Sequence, residues 1–237
     1  MNHAQLSTGA LPPDMEGKRV FLSLSGGLDS ATLHAFLLMM RMDVRPVFFR
    51  YPSRHNSMEY GAARRIAAFY ASGPLLEIDA VGLFRGARSN LLLGGGDLPR
   101  GEYDDENIKL TVIPGRNTIF IAALAGLAQS LSEGGKTYVA LGVHGGDHAV
   151  YPDCRPEYIE SVRKTILLSS EGAVEVIAPF VLADKAQIVR FGLSHFVPYE
   201  LTRSCYAGAD SPCRVCPACR AREAAFAANG VTDPIPA

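Results

Sequence analysis

Short apolar runs alternate with longer apolar or amphipathic stretches along most of the chain. The runs have the length of buried strands, and the stretches have the length of helices. The predicted strands are 19–24, 44–51, 75–78, 137–143 and 174–177, and the predicted helices are 31–42, 56–70, 117–131, 155–169 and 184–193. Strands that alternate with helices predict βαβ units, and therefore an α/β fold with a mostly parallel sheet and helices on both faces.

Two stretches add detail to this pattern. In the predicted helix 56–70, Met58, Ala62, Ile66 and Phe69 fall on one apolar stripe, and Asn56 is the expected N-cap. The stretch 86–111 contains a glycine run and the acidic run 104–106, so we expect a long loop there. Long loops inside compact domains are often functional.

Composition restricts the class of protein. The 237 residues are 48% apolar and 20% charged, as in a globular protein with a substantial core. The net charge of −1 argues against stable nucleic-acid binding, because domains that bind nucleic acid are usually basic. No window approaches ~18 uninterrupted apolar residues, and the N-terminus lacks the pattern of a secretory signal. We therefore expect no membrane segment and a cytoplasmic location.

The pattern also divides the chain into three parts. We predict a flexible lead-in at 1–18, an α/β domain at 19–200, and a small C-terminal segment at 201–237 with a metal-binding knuckle and a helix.

A glycine- and serine-rich loop joins the first predicted strand to the first predicted helix. Two glycines allow the backbone to approach a ligand, and the free N–H groups of the following helix favour an anion such as phosphate. An aspartate here repels phosphate but can hold Mg²⁺ that bridges to it. No Gly-Lys-Ser/Thr follows, so this is not a Walker A loop. A simple glycine turn with a serine cap is the structural alternative. The loop is Ser25, Gly26, Gly27, Leu28, Asp29 and Ser30.

Four of the five cysteines lie close together near the end of the chain, in the pattern Cys205-x7-Cys213-x2-Cys216-x2-Cys219. Four thiolates at tight spacing suit a tetrahedral, structural Zn²⁺. An iron–sulfur cluster is the main alternative, and redox cysteines are a weaker one. Cys154 stands alone.

Further segments make a family resemblance specific. Together with the glycine loop and the cysteines, they closely resemble the 7-cyano-7-deazaguanine synthase family of queuosine biosynthesis, within the N-type ATP pyrophosphatases. The resemblance covers roughly 19–226. The segments are Tyr51-Pro52-Ser53-Arg54-His55, Ile113-Pro114-Gly115-Arg116-Asn117, Gly142-Val143-His144-Gly145-Gly146-Asp147-His148 and Tyr151-Pro152-Asp153-Cys154-Arg155-Pro156-Glu157.

The resemblance implies a fold and an activity. The fold is a Rossmann-like, adenine nucleotide alpha hydrolase-like sheet with a small zinc-binding segment. The activity is a C–N ligase reaction that uses ATP with Mg²⁺ to convert 7-carboxy-7-deazaguanine and ammonia to 7-cyano-7-deazaguanine, through an adenylated carboxylate and an amide. A homodimer with one zinc ion per chain is also implied. This sequence has Ser53 where family members usually carry glutamine, a shorter first gap between cysteines, and a longer lead-in.

The resemblance also implies roles for individual residues. Asp29, Lys185 and Arg116 are expected to be catalytic. ATP is expected to contact the loop 25–30 with Tyr51, Arg54 and His55. The expected residues for the deazaguanine are Phe48, Arg116, Asn117, Tyr151, Asp153 and Arg155, with Asp147 and His148 as weaker candidates. His34, inside the first predicted helix, is expected to be structural.

Three other functions stay open at this stage. A relative could activate a deazaguanine and conjugate it to a protein or nucleic acid, and another ligase or thiolase could use the same ATP loop. A non-enzymatic zinc module for nucleic acid is disfavoured by the absence of a basic excess.

Overall fold

A five-stranded parallel sheet forms the centre of the molecule. The computed structural model describes residues 6, 8–9, 11–102, 108–147 and 151–235. The strand order is β3-β2-β1-β4-β5, and all four neighbouring pairs are parallel. The strands are β1 (Arg19–Ser23), β2 (Asp43–Arg50), β3 (Leu76–Asp79), β4 (Thr137–Ala140) and β5 (Val174–Ile177). The predicted α/β fold with a parallel sheet is confirmed.

Helices cover both faces of this sheet. They are α1 (Leu28–Met39), α2 (Asn56–Phe69), α3 (Arg116–Ser130), α4 (Pro156–Ser169), α5 (Lys185–Ser194) and α6 (Pro217–Ala227). Successive residues of β1 point to opposite faces. Val20 and Leu22 join a core cluster with α1, α5 and α6, whereas Phe21 joins a second cluster with α3 and α4. The central strand β1 is thus buried on both sides, as are β4 and β5, which accounts for their apolar character, whereas the edge strand β3 is partly exposed.

The start of α2 differs from the expected capping. The helix begins at Asn56 itself, and its N-cap residue is His55 without a side-chain capping bond. Asn56 Nδ2 instead donates to the carbonyl oxygen of Phe49 at 3.0 Å. The N-cap prediction is wrong because the end of β2 offers this amide a tertiary partner.

Part of the lead-in packs on the domain. Met15 is 1% exposed and belongs to the α1-side core, against which Leu6 and Leu11 also pack. Gly9 N donates to Pro179 O at 3.0 Å. The flexible lead-in at 1–18 stays a prediction, but Leu6, Leu11 and Met15 within it pack on this face of the domain.

The C-terminal segment is likewise built onto the main domain. In α6, which packs against α5, Arg222 donates to Tyr199 O at 3.0 Å and forms an ion pair with Asp233 at 2.7 Å. Arg203 N donates to Gly26 O at 2.8 Å, so the segment directly supports the glycine loop. The cysteines are therefore held beside the loop.

One stretch, Lys109–Ser130, has the length and composition of a membrane span. Its α-helical part, α3, has only 15 residues, fewer than the ~20 that a span needs. Phe120, Ile121 and Leu124 of α3 lie in the core. Packing on the sheet therefore explains why this helix is apolar.

Candidate active site and cysteine knuckle

A cavity of about 220 Å³ opens at the carboxyl ends of β1, β2 and β4. The chain turns to opposite sides of β1 at this point, which is where parallel α/β sheets bind ligands. Its apolar walls come from Leu24, Phe48, Phe49, Phe120, Leu141 and Val143, and its polar walls from Ser25, Asp29, Ser30, Tyr51, His55, Glu59, Arg116 and Asn117. Apolar walls with a few converging polar groups are typical of a small-molecule site.

The glycine loop takes a conformation that requires glycine. Gly26 has φ +80, and a Cβ there would lie 2.5 Å from Glu59 O and 2.6 Å from Ala63 N. The Ser25 and Ser30 hydroxyl oxygens are 3.1 Å apart, and Gly27 N donates to Ser25 Oγ at 3.2 Å. Because α1 begins at Leu28, its positive end faces the cavity beside these hydroxyls. The arrangement suits an anion.

Asp29 lies in the first turn of α1 with one oxygen unused. Its Oδ2 is 3.4 Å from Lys185 Nζ, and its Oδ1 is 3.8 Å from His144 Nε2. Oδ1 is buried and accepts no hydrogen bond from the residues that the structure describes. Burial would raise the pKa of Asp29, but Lys185 and His144 lower it below its usual value. The group is therefore an ionised carboxylate with a free oxygen, as a Mg²⁺ ligand would be.

The segments before α3 and before α4 meet on the opposite wall. Arg116 Nε and Nη2 donate to Asn117 Oδ1 at 3.3 and 3.2 Å. Asn117 Nδ2 lies 3.5 Å from Asp153 O and 3.6 Å from Cys154 Sγ. Burial would lower the pKa of Arg116, but Tyr51, Cys154, Tyr151 and Asp153 raise it. A charged guanidinium therefore lines the same cavity as the glycine loop.

Tyr51 and Phe48 lie in the cavity wall, and burial raises the pKa of Tyr51 to about 12. Several other expected residues are placed around the cavity rather than in its wall. Arg54 donates to the carbonyls of Leu92, Gly95 and Gly96. It therefore holds the loop that contains the glycine run at 94–96, which is separate from the glycine loop at 25–30.

Tyr151 shares a hydrogen bond with Thr111 through their hydroxyls at 2.7 Å. Asp153 and Arg155 lie just beyond the wall, before α4. Asp147 ends a short 3-10 helix, its side chain is outside the described parts, and His148 lies outside the described residues.

Glu59, Cys154 and Tyr206 line the cavity but were not predicted from sequence as site residues. The Glu59 side chain is 17% exposed, and its Oε2 is 3.7 Å from Nε2 of His55, one helical turn earlier. Burial raises the pKa of Glu59 to about 8, which Arg116 only partly opposes, and burial lowers that of His55 to about 4. The i,i+4 spacing of His55 and Glu59 was the one sequence signal for this pair.

The four clustered cysteines form a knuckle. Their sulfur atoms lie within 4.8 Å of one another, close to the ~3.8 Å separation around a tetrahedral Zn²⁺ with ~2.3 Å bonds. The Cys205 sulfur accepts N–H bonds from Cys213 at 3.2 Å and from Ala207 at 3.4 Å. Hydrogen bonds from Cys216, Cys219 and these amides lower the pKa of Cys205. The donor set therefore fits one metal ion.

Comparison with known proteins agrees with this geometry. The family model described as "Queuosine biosynthesis protein QueC" matches residues 19–230. The chain belongs to this family. The match includes the glycine loop, the Arg116–Asn117 wall and all four clustered cysteines.

Curated relatives give the same picture. The 7-cyano-7-deazaguanine synthase of Marinomonas sp. (strain MWYL1) is 36% identical over 211 residues, which are 89% of this chain and 94% of the relative. The enzyme of that name from Archaeoglobus fulgidus is 38% identical, covering 92% of this chain and 89% of the relative. That from Porphyromonas gingivalis (strain ATCC 33277) is 37% identical, covering 92% and 96%. Resemblance therefore extends over nearly the whole of each protein.

Proposed function

We propose that this QueC-family chain is an ATP-dependent C–N ligase that converts 7-carboxy-7-deazaguanine and ammonia to 7-cyano-7-deazaguanine in queuosine and deazapurine biosynthesis. The observation that carries the proposal is the cavity itself. It combines an anion-binding glycine loop with a cationic wall in a chain that matches enzymes of this name over most of its length.

The glycine loop would position ATP. A carboxylate does not react with ammonia at neutral pH because its oxygen is a poor leaving group. Attack of a substrate carboxylate oxygen on the α-phosphorus of ATP forms an acyl adenylate and releases pyrophosphate. The N–H groups and hydroxyls of 25–30 would stabilise charge on the phosphates, with Lys185 and Arg116 as further cations. Bound Mg²⁺, held by Asp29, would neutralise phosphate charge.

The opposite wall would position the deazaguanine. Phe48 or Tyr151 can contact the flat ring, and Arg116 and Asn117 can donate to a carboxylate or ring edge. Asp153, Arg155 and Asp147 complete the substrate residues of the proposal, and Tyr51, Arg54 and His55 those for ATP. Arg54 would act on ATP only indirectly, because its guanidinium already donates to the carbonyls of Leu92 and Gly96.

The proposal includes a structural zinc ion at the knuckle. Four sulfurs leave no open coordination position, so a metal there would stabilise the segment that supports the glycine loop through Arg203. A cytoplasmic location and a homodimer are also part of the proposal. Sedimentation velocity of the purified protein tests the dimer.

Nucleotide analysis tests the proposed chemistry. With ATP, Mg²⁺ and ammonium, we expect AMP and pyrophosphate to appear only when 7-carboxy-7-deazaguanine is added. Production of ADP, or AMP release that does not depend on the acid, would reject the proposal.

A further inference from the structure

The carboxyl group of Glu59 stands in the cavity without a hydrogen bond to any residue that the structure describes. Its Oε2 lies 3.7 Å from Nε2 of His55, and Arg116 and Tyr51 also interact with it electrostatically. Because burial lowers the pKa of His55 to about 4, this ring is neutral near pH 7, and Arg116 is the charged group that acts on Glu59. Since Glu59 lines the cavity, its carboxyl group can contact a molecule bound there.

Glu59 also lies at the phosphate end of the cavity. A Cβ on Gly26 would be 2.5 Å from the carbonyl oxygen of Glu59, so the first turn of α2 packs directly on the glycine loop. If this loop holds the phosphates of ATP, the carboxyl group under attack lies beside the loop. The Glu59 side chain lines the same cavity, which would put it near the carbon at which nitrogen is added.

The acidity of the group suits proton transfer. Burial raises the pKa of Glu59 to about 8, and Arg116 opposes this only in part. A general base works best when its pKa lies near the working pH. Near pH 8, this carboxyl group can both accept a proton and release it to solvent.

We propose that Glu59 is the general base that removes protons from nitrogen during nitrile formation. This role rests on the function proposed above. In the first step, the lone pair of ammonia forms a C–N bond to the acyl carbon of the adenylate. The bond from that carbon to the phosphate oxygen breaks, AMP leaves with the electron pair, and the surplus N–H proton passes to the Glu59 carboxylate.

The second step, nitrile formation, also requires protons to be removed from nitrogen. The amide oxygen attacks the α-phosphorus of another ATP, pyrophosphate leaves, and the nitrogen of the activated amide keeps two protons. Forming the nitrile breaks the C–O bond to AMP and removes both protons from nitrogen. Glu59 takes them one after the other and returns each to solvent between the two transfers.

The substitution Glu59→Gln separates these nitrogen steps from adenylation. Exchange of labelled pyrophosphate into ATP, dependent on 7-carboxy-7-deazaguanine, measures adenylation without ammonia. We expect this exchange to stay within about threefold of wild type, and nitrile formation to fall about 100-fold or more, the range for loss of a general base. Glu59→Asp should recover part of the rate.

The dependence on pH gives a second readout. At a constant concentration of unprotonated ammonia, the wild-type rate should rise up to about pH 8 and then level off. Glu59→Gln should lack this rise. Glu77→Gln is the matched control, because Glu77 accepts a hydrogen bond from Tyr60 of α2 at an exposed position away from the cavity.

Three outcomes would overturn the role. An unchanged rate of nitrile formation in Glu59→Gln would reject it. An equal loss of exchange and nitrile formation, with a raised KM for the acid, would make Glu59 a substrate-binding residue. Absence of exchange in the wild-type protein would reject the proposed function itself, and this role with it.

Discussion

Asp29 has a buried carboxylate oxygen that a bound metal ion could satisfy. Its Oδ1 is buried without a hydrogen bond from the described residues, although Lys185 and His144 keep the group ionised. Such an atom is costly unless something binds it. The sequence motif predicted the aspartate and its lysine, but only the fold shows that they meet at 3.4 Å.

We expect Asp29→Asn to lose ATP consumption by about 100-fold or more, the usual cost of removing an electrostatic contact to a reacting group. The amide keeps the shape of the side chain, so the melting temperature should change little. AMP release and thermal melting measure the two effects. Normal turnover in this variant would contradict the proposed role in holding Mg²⁺.

The raised pKa of Glu59 should make the stability of the protein depend on pH. Its pKa is raised to about 8, whereas the unfolded chain loses this proton near 4.5. The folded protein therefore holds the extra proton between these values, and the wild-type free energy of unfolding falls as pH rises through this window.

Glutamine cannot ionise, so Glu59→Gln should become more stable relative to wild type as pH rises from 5 to 8. At about 1.4 kcal/mol per pKa unit, the gain should reach a few kcal/mol. Chemical denaturation at the two pH values measures it, with Glu77→Gln as control. An equal difference at both values would show that the Glu59 pKa is not raised.

Sequence reasoning at this scale found residues in recognisable motifs and missed those without one. The glycine loop and Arg116–Asn117 line the cavity as expected. Glu59 and Tyr206 belong to no motif, and they reach the cavity only because α2 and the C-terminal segment fold over the glycine loop. Such proximity depends on tertiary packing, which periodicity does not report.

At the scale of elements, the cysteine knuckle connects metal binding to the active site. Arg203 joins this segment to Gly26 through a backbone hydrogen bond, and α6 packs on α5. Loss of the metal should therefore loosen the glycine loop as well as the knuckle.

We expect Cys216→Ser to lose stoichiometric zinc, to melt several degrees lower and to bind ATP more weakly. Elemental analysis by mass spectrometry measures the metal. Cys154→Ser is the matched control, because Cys154 lies in the cavity wall rather than in the knuckle, and it should retain one metal ion per chain. Stoichiometric iron with visible absorbance in protein purified without oxygen would contradict the choice of zinc.

Strands and helices were predicted to within a few residues because most strands are apolar runs buried in the sheet, and the helices are either apolar throughout, as α1 is, or amphipathic, as α2 and α4 are. The structure differs from these predictions where tertiary contacts determine the position of a side chain. Asn56 binds the Phe49 carbonyl rather than capping α2, and Met15 of the expected lead-in enters the core. Neither contact follows from local propensity.

At the scale of the whole molecule, the parallel order β3-β2-β1-β4-β5 sets the location of the site. Strands β2 and β3 lie on one side of β1, and β4 and β5 lie on the other. This change of side leaves a crevice at the carboxyl ends of β1 and β4. The α/β alternation predicted a parallel sheet but not this order, since many orders share one alternation.

We propose that this cavity converts an adenylated deazaguanine carboxylate to a nitrile. The most direct measurement is mass spectrometry of the small molecules after incubation with ATP, Mg²⁺, ammonium and 7-carboxy-7-deazaguanine. We predict 7-cyano-7-deazaguanine, with two AMP for each nitrile and no ADP. Accumulation of the adenylate or amide without nitrile would contradict the account, and would direct attention to a macromolecular acceptor.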